Sequence, residues 1–273
     1  MIYWTTTMTR RRDRRDTMRG LVILLLTLAP GLGWSDHHLP ADMVPPQEDM
    51  DLRMSGRIAA IADLGPLEFL VDGRAELTTR PLEPAMPSIT VGAYVRPVRN
   101  LKIGAFYRLQ SGVRHDDDWI DLHPGWAWVD TQDRLEHLVM VDVSPRVLLG
   151  FLPGRNWVLM LKSRYILNSY NMHHSILLRP GLSYFLMRNR EPVLTLTAAY
   201  GLYLALNFSE RVVYEHAPYM TVTYHTADWL KLEFTGAYRS VVWSTSTDVL
   251  ALGESYDLPA RSFVFGVGVV LVP

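Results

Sequence analysis

Two short polar clusters in this chain carry residue types that can do chemistry. In His115-Asp116-Asp117-Asp118-Trp119-Ile120-Asp121, four carboxylates crowd into seven residues. Such a group can offer oxygens to a divalent cation or hold a water between an acid pair. A calcium loop also needs a glycine at its sharp bend and a closing glutamate. Neither stands at that spacing, so the run reads as a solvated acidic loop with no metal. The second cluster is His173-His174-Ser175, in which His173 and Ser175 have the spacing for a histidine to take a serine proton. The loop candidates are therefore Asp116, Asp118, Trp119, Asp121, His173 and Ser175, none with an assigned catalytic role.

Both clusters interrupt a far longer pattern. From about residue 67 to 272 the chain keeps a two-residue beat, apolar on one face and charged on the other. Between Trp229 and Val242, Leu230, Leu232, Phe234, Gly236 and Tyr238 share one face, while Lys231, Glu233, Thr235 and Arg239 share the opposite one. The beat predicts strands near 67–79, 88–97, 101–110, 134–149, 157–167, 175–186, 193–206, 213–226, 229–242 and 262–272. These are about twice the usual ~5–6 residues of a soluble strand and near the ~9–11 that a tilted strand needs to cross hydrocarbon.

Connection lengths alternate as well. Turns near 97–100, 152–156, 188–191 and 226–228 are tight, while 80–87, 111–133, 168–174, 207–211 and 243–261 are mostly longer. Short turns on one side and long loops on the other suit an outer-membrane barrel, the short ones periplasmic. An even strand count would leave both termini on the periplasmic side. The expected fold is thus all-β, a transmembrane antiparallel β-barrel of about ten strands (10–12).

The charged face would line its lumen. It carries Glu68, Asp72, Glu76, Glu136, Asp142, Glu215 and Glu233, with Arg74, Arg96, Lys102, Arg108, Arg146, Lys162, Arg164, Arg179, Lys231 and Arg239. In a ring this narrow, mixed charges interleave into ion pairs and leave no wide pore. Two outcomes stay open: a filled, rigid barrel, or a narrow channel preferring anions because bases outnumber acids. Gly266 and Gly268 leave local space on the last strand. Aromatic residues on the apolar face fall towards segment ends, Trp157, Tyr184 and Tyr224 near short turns and Tyr107, Tyr165, Tyr214 and Phe263 near long loops. They suggest two interfacial girdles.

Bulk properties agree with this reading. The formal net charge of −1 gives no electrostatic case for nucleic acid, and the absence of cysteine removes disulfides and thiolate metal sites. The first 35 residues read as a signal peptide: Arg10 to Arg19 are basic, 21–32 is a short apolar run, and Gly33-Trp34-Ser35 precedes a cut before Asp36. Met18 is a candidate true start. Residues 36–66 read as a periplasmic tether and 67–273 as the barrel. Within the tether, 52–64 admits a short helix, an extra strand or a piece lying at the barrel's end.

Three resemblances add to this. The run Asp116 to Asp121, with Pro124-Gly125 and Trp128, resembles a loop of omptins, ten-stranded outer-membrane proteases that use an acid pair facing an Asp–His pair. The resemblance would give Asp116 and Asp118 the acid-pair role, but the facing segment 207–211 holds neither Asp nor His. His173-x-Ser175 resembles the His-x-Ser pair of outer-membrane phospholipases and lipid A deacylases, without the glycine or asparagine context that follows there. The stretch from Asp133-Arg134-Leu135-Glu136-His137 through Arg179-Pro180-Gly181-Leu182-Ser183-Tyr184 looks like uncharacterised outer-membrane barrel families of the DUF2490 type, which bring no activity with them. Most such barrels end in an aromatic residue, whereas Leu271-Val272-Pro273 closes this chain.

The expectation is a monomeric, non-enzymatic barrel of the bacterial outer membrane, a narrow pore or a filled structural or surface-binding protein. Its partners would be outer-membrane lipid and the barrel insertion machinery, with no cofactor and no nucleic acid. The alternative is an outer-membrane hydrolase, an omptin-like protease or lipid hydrolase, with its site at the extracellular barrel mouth.

Overall fold

The computed structural model describes residues 50–78, 87–111, 120–121, 127–128, 135–154, 156–170, 172–207, 212–243 and 258–272. Its strands are β1 (Asp51–Leu64), β2 (Leu67–Thr78), β3 (Ser88–Val98), β4 (Leu101–Ser111), β5 (Ile120–Asp121) and β6 (Ala127–Trp128). They continue as β7 (Leu135–Leu148), β8 (Trp157–Asn168), β9 (His173–Arg188), β10 (Glu191–Ala205), β11 (Val213–Ala227), β12 (Leu230–Trp243) and β13 (Leu258–Leu271). β5 and β6 pair only with each other, and the other eleven close into one barrel. The all-β barrel expected at 10–12 strands is present, with eleven.

The eleventh strand is β1, from the segment that admitted helix, strand or end piece. Its partner at closure is β13, and the two run parallel, from Asp51 beside Ser262 to Ala60 beside Leu271. All other neighbours are antiparallel. In an up-and-down ring an odd count requires one parallel pair, because strand direction alternates around the circle. The even count and the shared side for both termini give way accordingly. β1 starts at the end of the long connections, and β13 finishes at the end of the short turns.

Two-residue turns close four of the five hairpins at the short-turn end, and residues 149–156 join β7 to β8. Asn189 and Arg190 both adopt the left-handed region (φ 53 and 70), the backbone of a type I′ hairpin. Strands of about 14 residues rising ~3.3 Å each and tilted ~40° stand about 35 Å tall, enough for a ~30 Å hydrocarbon core.

Alternation sorts the side chains. Asp142, Glu136 and Asp72 are buried inside the ring, while Ile58, Val141, Phe234 and Phe265 stand out from it, Ile58 at 68% and Phe265 at 57% exposure. No helix among the described residues is long and apolar enough to cross a membrane, which says nothing about crossing by strands.

Aromatic side chains gather at both ends of the outer face. Trp157 meets Tyr184 at 4.7 Å between rings near the short turns. At the long-connection end, Tyr107, Tyr165 and Tyr200 each meet a histidine on the next strand, His137, His174 and His216, with rings 5.8–6.1 Å apart. Tyr214 departs from the expected outer position. The register slips between Tyr203 and Leu204 opposite it, and this bulge turns Tyr214 inward to 4% exposure.

Candidate functional site

The lumen holds a cavity of about 570 Å³, touched by all eleven barrel strands. Two walls line it, and they are built differently.

The first wall is centred on the closure, β12, β13, β1 and β2, and extends to β11 on one side and to β3 and β4 on the other. Towards the long connections, Arg53 reaches Asp51 at 2.9 Å and Glu76 at 3.1 Å. Arg239 joins the same Glu76 at 3.1 Å and Glu215 at 3.0 Å. In the middle, Asp72 accepts from Arg74 at 2.8 Å and pairs with Arg57 at 2.7 Å, and Arg57 also pairs with Glu233. Towards the short turns, Glu68 takes Arg96 and, at 2.6 Å, Lys102, with Asp63 3.3 Å from Arg96. Arg53, Arg57, Arg96 and Arg239 each join strands, while Arg74 meets Asp72 on its own strand, so the network ties β1 to the strands around it by side chains as well as by the ladder.

Glycine makes one of these bridges possible. Arg57 on β1 reaches Glu233 on β12 across the intervening β13, at Gly268. A Cβ at Gly268 would stand 3.3 Å from that of Glu233 and 3.4 Å from that of Arg57. Space at Gly268 is thus taken by the bridging pair and opens no path. The same device seats two rings on β3 and β4: a Cβ at Gly92 would lie 2.4 Å from Phe106, and one at Gly104 would lie 2.6 Å from Tyr94. Phe106 and Tyr94 lie edge to face at 4.7 Å.

The second wall is β7, β8 and β9, and it is cationic. Lys162 on β8 stands directly opposite Arg179 on β9, with Arg164 two residues along. Asp142, fully buried on β7, serves both β8 cations, Lys162 at 3.0 Å and Arg164 through paired contacts including 2.8 Å. The Tyr94 hydroxyl donates to the same carboxylate at 2.9 Å. Arg164 stacks over Phe106 at 5.5 Å. Arg179 forms no ion pair among the described residues. It lies over the Tyr219 ring at 5.1 Å, and its Nε is buried without a hydrogen-bond partner. Glu215 is within electrostatic range of it but is engaged by Arg239.

The remaining charged side chains sit around this centre. Glu136 accepts from Gln110 and, at 2.9 Å, from Asn168. Arg108 donates to Thr90 at 2.9 Å. Arg146 lies near Lys102 and Lys231 near His225, and His225 contacts Thr195 at 2.9 Å. Alternation beyond residue 67 gave no access to Asp51, Arg53 and Arg57, which come from β1. Tyr94, Tyr203 and Tyr219 also line the cavity: Tyr94 and Tyr219 fall an even number of residues from Arg96 and Glu215 on their own strands, whereas the one charge on β10 is the exposed Glu191, which marks no inner side for Tyr203.

Three of the loop candidates fall on described strands. Asp116, Asp118 and Trp119 lie outside the described residues, and Asp121 ends β5. His173 and Ser175 are on β9, and buried Ser175 hydrogen-bonds Tyr214, which the bulge delivers. No group of side chains able to hold a metal occurs among the described residues. No protein-family model matches the chain, and no curated protein matches it.

Proposed function

We propose that this protein is a non-enzymatic β-barrel of a bacterial outer membrane whose lumen is a narrow, anion-preferring passage. The observation carrying this reading is the segregation of the two faces. Charged side chains are enclosed, and an uncharged face surrounds the ring, which is the arrangement lipid demands and water does not. The closed ladder, strands tall enough for a bilayer and aromatic residues at both outer ends support the same reading. Anion preference follows from the cationic wall of β7, β8 and β9, where Lys162, Arg164 and Arg179 face one carboxylate. The resemblance to uncharacterised outer-membrane barrels fits it and adds no activity.

Single-channel recording of the chain refolded in detergent and reconstituted in planar bilayers tests this. Small discrete steps with a reversal potential on the chloride side are expected under a salt gradient. Silence from protein with heat-dependent gel mobility would overturn the passage and leave a filled, structural barrel.

A further inference from the structure

Placing Lys162 directly opposite Arg179, with Arg164 two residues on, is unfavourable in itself, since like charges facing across a ladder repel. Asp142 answers Lys162 and Arg164. No acid forms an ion pair with Arg179 among the described residues: it has Tyr219 beside it and Glu215 at longer range, while its Nε is enclosed and unbonded at the cavity wall. The acids of the opposite wall are already engaged: Asp72 by Arg57 and Arg74, and Glu215 and Glu76 by Arg239. A buried guanidinium requires a compensating partner. The cavity beside it, at about 570 Å³, is within the ~300–1,000 Å³ range of small-molecule sites.

We propose that this wall is a binding site for a tetrahedral oxyanion of the phosphate class, held by Arg179 and Lys162 with Tyr219 at its edge. This deepens the anion-passage reading and rests on it for how the ligand arrives. The ligand's oxygens accept from the Arg179 guanidinium, whose planar fork suits two oxygens of one group, and from the Lys162 ammonium. Arg164 stays with Asp142 and supplies long-range field. The cavity exceeds the volume of phosphate itself and admits a small phosphomonoester.

The test is isothermal titration of the refolded full-length barrel in detergent at low ionic strength, with inorganic phosphate and with glycerol 3-phosphate as separate ligands. Binding of either is expected, weakened at least tenfold in Arg179→Gln and in Lys162→Gln. Lys231→Gln, on β12 and outside the lining of this cavity, is expected to bind within twofold of the parent. Equal affinity for both ligands marks a site for the free anion, and tighter glycerol 3-phosphate marks a phosphorylated solute. Heat-modifiable protein that takes up neither ligand, or an Arg179→Gln variant that binds like the parent, overturns the site. Conductance separates this from the passage itself. Phosphate binding without chloride steps keeps the site and removes the passage, whereas chloride steps without phosphate binding do the reverse.

Discussion

The two walls of the lumen use the same residue types to opposite ends. Across the closure, Arg53, Arg57, Arg74 and Arg239 interleave with Asp51, Asp72, Glu76, Glu215 and Glu233, so that each bridging arginine lies between two acids. On β8 and β9, Lys162 and Arg164 share the single carboxylate of Asp142, and Arg179 stands opposite Lys162 without an ion pair among the described residues. The first arrangement cancels charge and joins strands, and it sits where β1 and β13 meet in parallel, a pairing slightly less stable per residue than the antiparallel kind. The second leaves positive charge facing a cavity. Interleaved pairs brace the barrel; a surplus of one sign prepares it to meet a ligand.

The largest effect should follow from removing the acid that the cationic wall depends on. Asp142→Ala leaves Lys162 and Arg164 without their carboxylate in an enclosed space beside Arg179, at a cost of about 3–5 kcal/mol. Urea unfolding in lipid vesicles, followed by tryptophan fluorescence, would read this as a loss of the folded, heat-modifiable band at lower denaturant. A midpoint close to the parent's would mean that water or an ion already neutralises the wall. Val141 is the neighbour on the same strand with the opposite outlook, 44% exposed near mid-strand. Val141→Arg should cost about 2–4 kcal/mol in a bilayer. Were that face in water, the substitution would be almost silent, so this variant separates a membrane barrel from a soluble one.

The bracing wall is broken most locally at Gly268. Gly268→Val puts methyl groups where Glu233 and Arg57 pass at 3.3 and 3.4 Å, and either the ion pair or the β1–β13 ladder must shift. A loss of about 1–3 kcal/mol is expected from overpacking, with the gel-mobility transition moving to lower temperature. Chloride conductance should survive in the molecules that remain folded. If instead conductance vanished while the transition temperature held, Gly268 would belong to the path and the division between the walls would fail.

Much of the strand pattern could be read because charged and apolar residues alternate strongly from β2 onwards. β1 resisted the same reading because its faces contrast weakly. Gly56, Ala59, Ala60 and Ala62 carry little polarity, and between Asp51 and Asp63 at its ends only Arg53 and Arg57 mark the inner side by charge. Its pairing was also out of reach, since no hairpin turn encodes a parallel partner more than 200 residues away. Alternation assigns a residue to a face without saying which acid meets which base. Those matches depend on stagger between strands that are not adjacent, such as Arg239 on β12 with Glu76 on β2. Tyr214 shows the complementary limit: one bulge breaks the count of two and reverses its side.

The smallest effect on stability, and the sharpest contrast, belongs to Arg179. Removing Arg57 from the bracing wall leaves Asp72 and Glu233 short of a partner, whereas Arg179→Gln leaves no carboxylate orphaned and relieves its repulsion with Lys162. Its glutamine amide keeps a donor towards Tyr219. The unfolding free energy should therefore move by less than about 1 kcal/mol, and in either direction. Selectivity is what should change: the reversal potential under a chloride gradient is expected to fall towards zero, as a lumenal cation that sets the local field is lost. Arg57→Gln should do the opposite, lowering the unfolding midpoint while the reversal potential stays near the parent value. A matched fall in stability for both variants would mean that Arg179 braces the barrel as Arg57 does, and the two walls would then be one network.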